Sequence, residues 1–112
     1  MPTPRAELPQ LSEAQAGKTI TINEAFAKLE ALTVGAAVTR TTTTPPSSPS
    51  EGDVYLIPAA ATGAWENKTN VIAHYLNGTW NFYFPKNGYV IFSLEDEAFY
   101  FYKQTTDTWT QI

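Results

Sequence analysis

The sequence predicts an α+β fold that is mostly β. An extended N-terminal arm and one short helix come first, followed by a small antiparallel β-meander with barrel- or sandwich-like curvature. Three observations predict it. Asn77-Gly78 stands between two arms of strand period. Turn residues recur at roughly eight- to twelve-residue intervals after residue 50, the spacing of short antiparallel strands. The one stretch with helical period, residues 23–32, precedes all of them.

The hairpin is the strongest local signal. Asn and Gly tolerate positive φ at both central positions of a type I′ turn, the tight turn that matches the twist of paired strands. Residues 70–76 precede it. After it, Trp80, Phe82 and Phe84 alternate with Thr79, Asn81 and Tyr83, so the turn sets the register. Pro85 has no N–H to donate and ends the second arm.

The 112 residues divide into unlike parts. Residues 1–50 balance four basic against four acidic side chains, whereas residues 51–112 carry the whole net charge of −4. Of the fifteen aromatic residues only Phe26 precedes residue 51. Residues 1–38 read as arm plus helix. Pro2, Pro4 and Pro9 accompany no apolar period, which predicts a flexible tail or an arm ordered on a neighbouring subunit. Asn23 has the chemistry of an N-cap, Glu24 suits the first turn, and Val34-Gly35 offers a stop. Ala25, Phe26, Leu29 and Leu32 form an apolar stripe on a helix too short to stand alone, and are the candidate docking and oligomerisation residues. Residues 39–50, rich in Thr, Pro and Ser, read as an extended linker.

Residues 51–112 read as the β head. Glu51-Gly52-Asp53 is a turn, residues 54–57 a strand stopped by Pro58, and residues 59–68 a small-residue loop holding Gly63 and Trp65. Beyond the hairpin come a turn at Lys86-Asn87-Gly88, a strand at 89–92, an acidic turn at Glu95-Asp96-Glu97, a strand at 99–102, a turn at Thr105-Thr106-Asp107 and a last strand at 108–112. Tyr100 and Tyr102 oppose Phe99 and Phe101, so both faces of this sheet are apolar. A one-layer antiparallel sheet facing water is polar on one side, which predicts a cover from the helix, another subunit or a ligand.

The chemistry is sparse. Without cysteine there is no disulfide framework, thiol nucleophile or zinc–thiolate site. His74 lies within a strand, and its nearest acid in sequence is Glu66 in the preceding loop, so it reads as a packed side chain rather than a base. No catalytic residue, metal site or cofactor is predicted, and the protein is not read as an enzyme. Glu95-Asp96-Glu97 reads as a solvated turn that discourages edge pairing. The acidic balance argues against nucleic acid, short apolar runs argue against membrane insertion, and Met-Pro-Thr-Pro-Arg lacks the plan of a signal peptide. The aromatics offer flat rings for sugar stacking, with Trp65, Tyr75 and Trp109 the candidate glycan contacts and Trp80 read as core.

The motifs Gln15, Lys18, Thr21, Asn23-Glu24-Ala25, Pro45-Pro46, Pro49, Glu51-Gly52-Asp53, Tyr55, Ala61-Thr62-Gly63-Ala64-Trp65, Ile72-Ala73, Gly78-Thr79-Trp80, Phe84-Pro85 and Gly88, in this order, resemble a domain family of unknown function. That family occurs in tailed bacteriophages, prophages and gene transfer agents, usually within tail-fibre or other virion appendage proteins. The resemblance implies a structural virion protein, a small fibre, spike or adaptor subunit located in the virion. Residues 1–38 would dock on other virion proteins of the tail, baseplate or capsid, and the expected assembly is a homotrimer. The alternative expectation is a carbohydrate-binding module for host surface polysaccharide.

Overall fold

The computed structural model describes residues 3–10, 18–33 and 36–112. Among these residues one α-helix, α1 (Lys18–Thr33), lies against a single seven-stranded sheet. The strands are β1 (Ala36–Ala37), β2 (Val54–Leu56), β3 (Ile72–Leu76), β4 (Thr79–Tyr83), β5 (Val90–Ser93), β6 (Ala98–Lys103) and β7 (Thr108–Gln111), in the spatial order β4-β3-β2-β1-β5-β6-β7. The protein is thus α+β and mostly β, as its sequence predicts.

Two antiparallel meanders, β2-β3-β4 and β5-β6-β7, make up most of the sheet. The two-residue strand β1 joins them by pairing in parallel with both β2 and β5, so the sheet is mixed. The sheet also curls. The indole N–H of Trp109 on β7 donates to the carbonyl of Asn70, just before β3, at 2.9 Å, drawing the far end of the sheet toward the near one.

The hairpin forms at the expected turn. Leu76 pairs with Thr79, and Asn77 and Gly78 have φ of 56° and 74°. The carboxylate of Glu51 accepts the N–H groups of Asn77 at 2.8 Å and Gly78 at 3.1 Å, so a residue from the β1–β2 connection caps the turn.

The inner face of the sheet carries Ala37, Val54, Leu56, Ile72, Ile91 and Tyr100, packed with Ala31 of the helix and bordered by Leu32, Tyr83, Tyr89, Ala98 and Trp109. The opposite face of the first meander has its own core, in which Tyr55, Val71 and Ala73 pack under Ile57, Ala61 and Trp65 of the β2–β3 connection, with Val38, Trp80 and Phe82 at its border. Trp65 is fully buried, its ring 5.3 Å from that of Tyr55 and 5.2 Å from that of Trp80.

The helix begins five residues before the expected N-cap, and Asn23 is an exposed residue within it. The β-branched run Thr19 to Ile22 argued locally against helix. That preference is worth only a few tenths of a kcal/mol per residue, less than the gain from extending a helix already nucleated. At the other end Thr33 Oγ1 donates back to the Leu29 carbonyl at 2.7 Å. The expected stop at Val34-Gly35 and the arm residues 1, 2 and 11–17 lie outside the described residues.

Residues 3–10 lie on the chain's own helix and head. The buried Lys28 ammonium donates to the Glu7 carbonyl, the Tyr89 hydroxyl donates to the Arg5 carbonyl, and Glu7 pairs with Lys86 at 3.2 Å. Residues 39–50, expected as a linker, hold neither helix nor strand and run over the head as a strap. The Thr41 hydroxyl donates to Glu95, Arg40 Nε pairs with Asp96 at 3.3 Å, and Thr62 N–H donates to the Thr43 carbonyl.

Gly78→Ala places a Cβ at a left-handed position, and urea unfolding is expected to show a loss of about 1 kcal/mol. Trp65→Ala empties the outer core, and the same measurement is expected to show about 3–5 kcal/mol lost.

Candidate interaction surfaces

The predicted docking residues do not share one surface. Leu32 is half-buried against the inner core and Ala25 is also half-buried, while Phe26 and Leu29 face outward at 65% and 43% exposure. The helix seats itself through Lys28, Ala31 and Leu32 near its C-terminal end. The stripe it leaves bare is Ile22, Phe26 and Leu29, at i, i+4 and i+7, so Ile22 replaces Ala25 and Leu32 in the uncovered set. A hundred-degree advance per residue sets Ala25 and Leu32 to one side of this stripe, close enough to read as a single face from sequence.

The predicted glycan contacts are likewise separated. Trp65 offers no ring face to solvent; the loop that carries it folds under the first meander, and the ring serves as core. Tyr75 is half-exposed and meets Trp80 edge-on at 5.1 Å. Trp109 sits at the far end of the sheet, half-buried, 5.2 Å from Tyr102 and bonded to Asn70.

A cavity of about 570 Å³ opens between the arm, α1 and the β3–β4 hairpin. Glu7, Asn23, Glu24, Lys28, Asn81 and Tyr83 stand on its walls. Lys28 lies beside the Tyr83 ring, 5.3 Å from its centroid, and burial lowers its pKa against the raising effect of Glu7. Burial also pushes the Tyr83 phenol up to about 12. Its oxygen is 3.1 Å from His74 Nδ1. His74 is fully buried, and its Nε2 meets no hydrogen-bond partner among the described residues. Burial lowers its pKa below 6.5 against the raising effect of Glu30 and Glu51.

The acidic turn at 94–97 is a clamp. Asp96 faces Ser93, whose hydroxyl makes no hydrogen bond of normal geometry among the described residues, and accepts a hydrogen bond from Tyr100. Together with Arg40, these groups hold the Asp96 carboxyl down at about 2. The Arg40 guanidinium also lies 4.4 Å from the Tyr100 ring centroid. Among the described residues, no group of three His, Cys, Asp or Glu is placed to hold a metal ion. No helix formed by them is long and apolar enough to cross a membrane.

Among the described residues, these features define a small β-rich module with one α-helix and an exposed apolar stripe along it. The chain belongs to the family described as "Protein of unknown function (DUF2793)", whose model matches residues 22–110. No curated protein matches it.

Two acid-linked losses of stability follow from the shifted groups. Asp96 has a folded pKa below its ordinary 3.8, so its contribution is complete above that value and drains as pH falls toward 2. Denaturant titrations across this range are expected to be flatter for Asp96→Asn than for the parent chain. His74 also has a lowered folded pKa, so the unfolded chain takes up its proton first as pH drops below 6.5 and stability declines. His74→Asn is expected to remove that decline.

Proposed function

We propose that this protein is a structural virion protein of a tailed bacteriophage or a related particle, a small fibre, spike or adaptor subunit. It docks and trimerises through its N-terminal segment and displays the β head. The observation that carries this reading is the bare stripe Ile22, Phe26 and Leu29 on a helix whose other side is already satisfied by the head. An apolar stripe on a helix anchored at one end is a surface built for burial, and three such stripes meeting about an axis cover one another. The motif resemblance to virion appendage proteins supplies the setting, and its residues 23–25 lie on this helix. The role is non-catalytic and needs no cofactor.

The carbohydrate-binding reading rests on different residues from those the sequence singled out. The cavity sets the amides of Asn23 and Asn81, the Glu24 carboxylate and the Lys28 ammonium beside the Tyr83 ring, the mixture of hydrogen-bonding groups and ring surface that suits sugar hydroxyls. A glycan array probed with the parent chain and with Asn81→Ala tests it. Binding lost in the variant supports the reading, and an array without hits ends it.

Two measurements test the main proposal. Mass spectrometry of particles purified from cells that carry this sequence is expected to find the chain as a stoichiometric component, and particles lacking it contradict the proposal. Phe26→Asp changes an exposed side chain and is expected to alter folding stability by less than about 0.5 kcal/mol, yet to abolish the trimer in light scattering and incorporation into particles.

A further inference from the structure

The curl of the sheet leaves a second cavity, of about 310 Å³, between β3, β5, β7 and the C-terminal end of α1. Leu32, Ile72, Ile91, Tyr89 and Trp109 give it apolar walls, and Arg5 and Ala6 of the arm stand on its remaining side. The mouth of a curled sheet is a frequent position for small ligands. Its volume is twice the ~150 Å³ that holds one benzene ring in an apolar protein cavity, so a ring and a short polar group fit together.

The uncommitted polar side chains on its wall are donors. The Tyr89 hydroxyl already donates to the Arg5 carbonyl at 3.2 Å, and the Trp109 indole N–H to the Asn70 carbonyl at 2.9 Å. The Asn87 carboxamide oxygen accepts the Gln104 N–H at 2.7 Å, which leaves its NH2 group to offer. The Arg5 guanidinium has no carboxylate within ion-pair distance among the described residues, whose two ion pairs are Arg40–Asp96 and Lys86–Glu7. No acid lines this cavity among the described residues, in contrast to the larger one with its Glu7 and Glu24. Gly88 gives the guanidinium its seat, since a Cβ there would stand only 3.2 Å from Arg5 Nη2. The site thus joins an apolar interior to one unneutralised positive charge.

We propose that this cavity binds a small aromatic carboxylate, with its ring among the apolar walls and its carboxylate on the Arg5 guanidinium. A guanidinium meets a carboxylate with two parallel N–H groups, a match that a lone ammonium cannot give. The ring would lie beside Tyr89 and Trp109, whose edges and faces favour an aromatic partner over a chain of equal size. An inorganic anion would satisfy Arg5 but leave the apolar walls wet, and a neutral ring would leave Arg5 unpaired. The site is separate from the larger cavity and from the helix stripe, and rests on neither the sugar reading nor the virion reading. Because Arg5 belongs to the arm, a bound acid would also fasten the arm to the head.

The test is an NMR titration of the full chain, near neutral pH, with phenylacetate, with phenylacetamide and with acetate. Phenylacetate is expected to give saturable shifts at the Trp109 indole N–H, the Ile72 and Ile91 methyl groups and Arg5. Phenylacetamide keeps the ring without the charge and is expected to bind about five- to tenfold more weakly, while acetate, the charge without the ring, is expected not to saturate. Arg5→Gln changes an exposed arm residue and is expected to weaken phenylacetate by about the same factor while leaving the amide unaffected. Arg5→Lys, which keeps the charge but loses the fork, is expected to fall between the two. No saturable shift at these groups up to about 10 mM phenylacetate would overturn the proposal, since that is weaker than any specific site of this kind. An amide or acetate that binds as well as phenylacetate would overturn it too, as would full phenylacetate affinity in Arg5→Gln.

Discussion

The rest of the structure depends on the pairing of β1 with two partners at once. Ala36 and Ala37 are the only residues of this strand, yet they lie in parallel with β2 on one side and with β5 on the other. Ala37 is fully buried, and Ala31 of the helix packs in the same cluster. Small side chains let helix and sheet approach closely at the one place where the two meanders meet. Without this strand there are two separate three-stranded sheets with no shared inner face. With it, β2 and β5 run in the same direction, and one inner face is shared by helix, strands and the arm residues that lie over them.

That shared face explains the distribution of bare surface. The inner side of the sheet is filled by side chains from both meanders and by the end of the helix. On the outer side the first meander has a roof built around Trp65, where three aromatic rings meet within 6 Å. The second meander has none, and the first half of the helix projects beyond the core that holds its second half. Charged contacts tie the strap and the arm down instead: Arg40 and Thr41 to the acidic turn, and Glu7 to Lys86. These contacts are half-exposed and individually weak, so they orient the covering segments more than they stabilise the fold.

What was legible in the sequence was local. Asn77-Gly78 carries its backbone requirement in its own chemistry, and the hairpin stands where that requirement placed it. Alternation in β5 and β6 correctly announced a sheet with two apolar faces. What was not legible depended on residues far apart. Ala36-Ala37 has no period to betray a strand, and only pairing with two distant segments makes it one. Glu51 reads as an ordinary turn residue until the hairpin folds over it. Trp65 sits in a loop whose composition suggests solvent, and only the bare outer face of β2 and β3 gives it a place inside. The helix stripe shows a similar limit: periodicity reports that a helix has an apolar side, but not which part of that side its own domain will consume.

The exposed stripe of α1 is proposed to be buried by copies of the same chain. Light scattering of the unmodified full chain across micromolar concentrations tests it most directly. A mass three times that of the 12.4 kDa chain is expected. A single monomer mass at every concentration would contradict it, and would mean that Ile22, Phe26 and Leu29 are not buried by copies of the same chain.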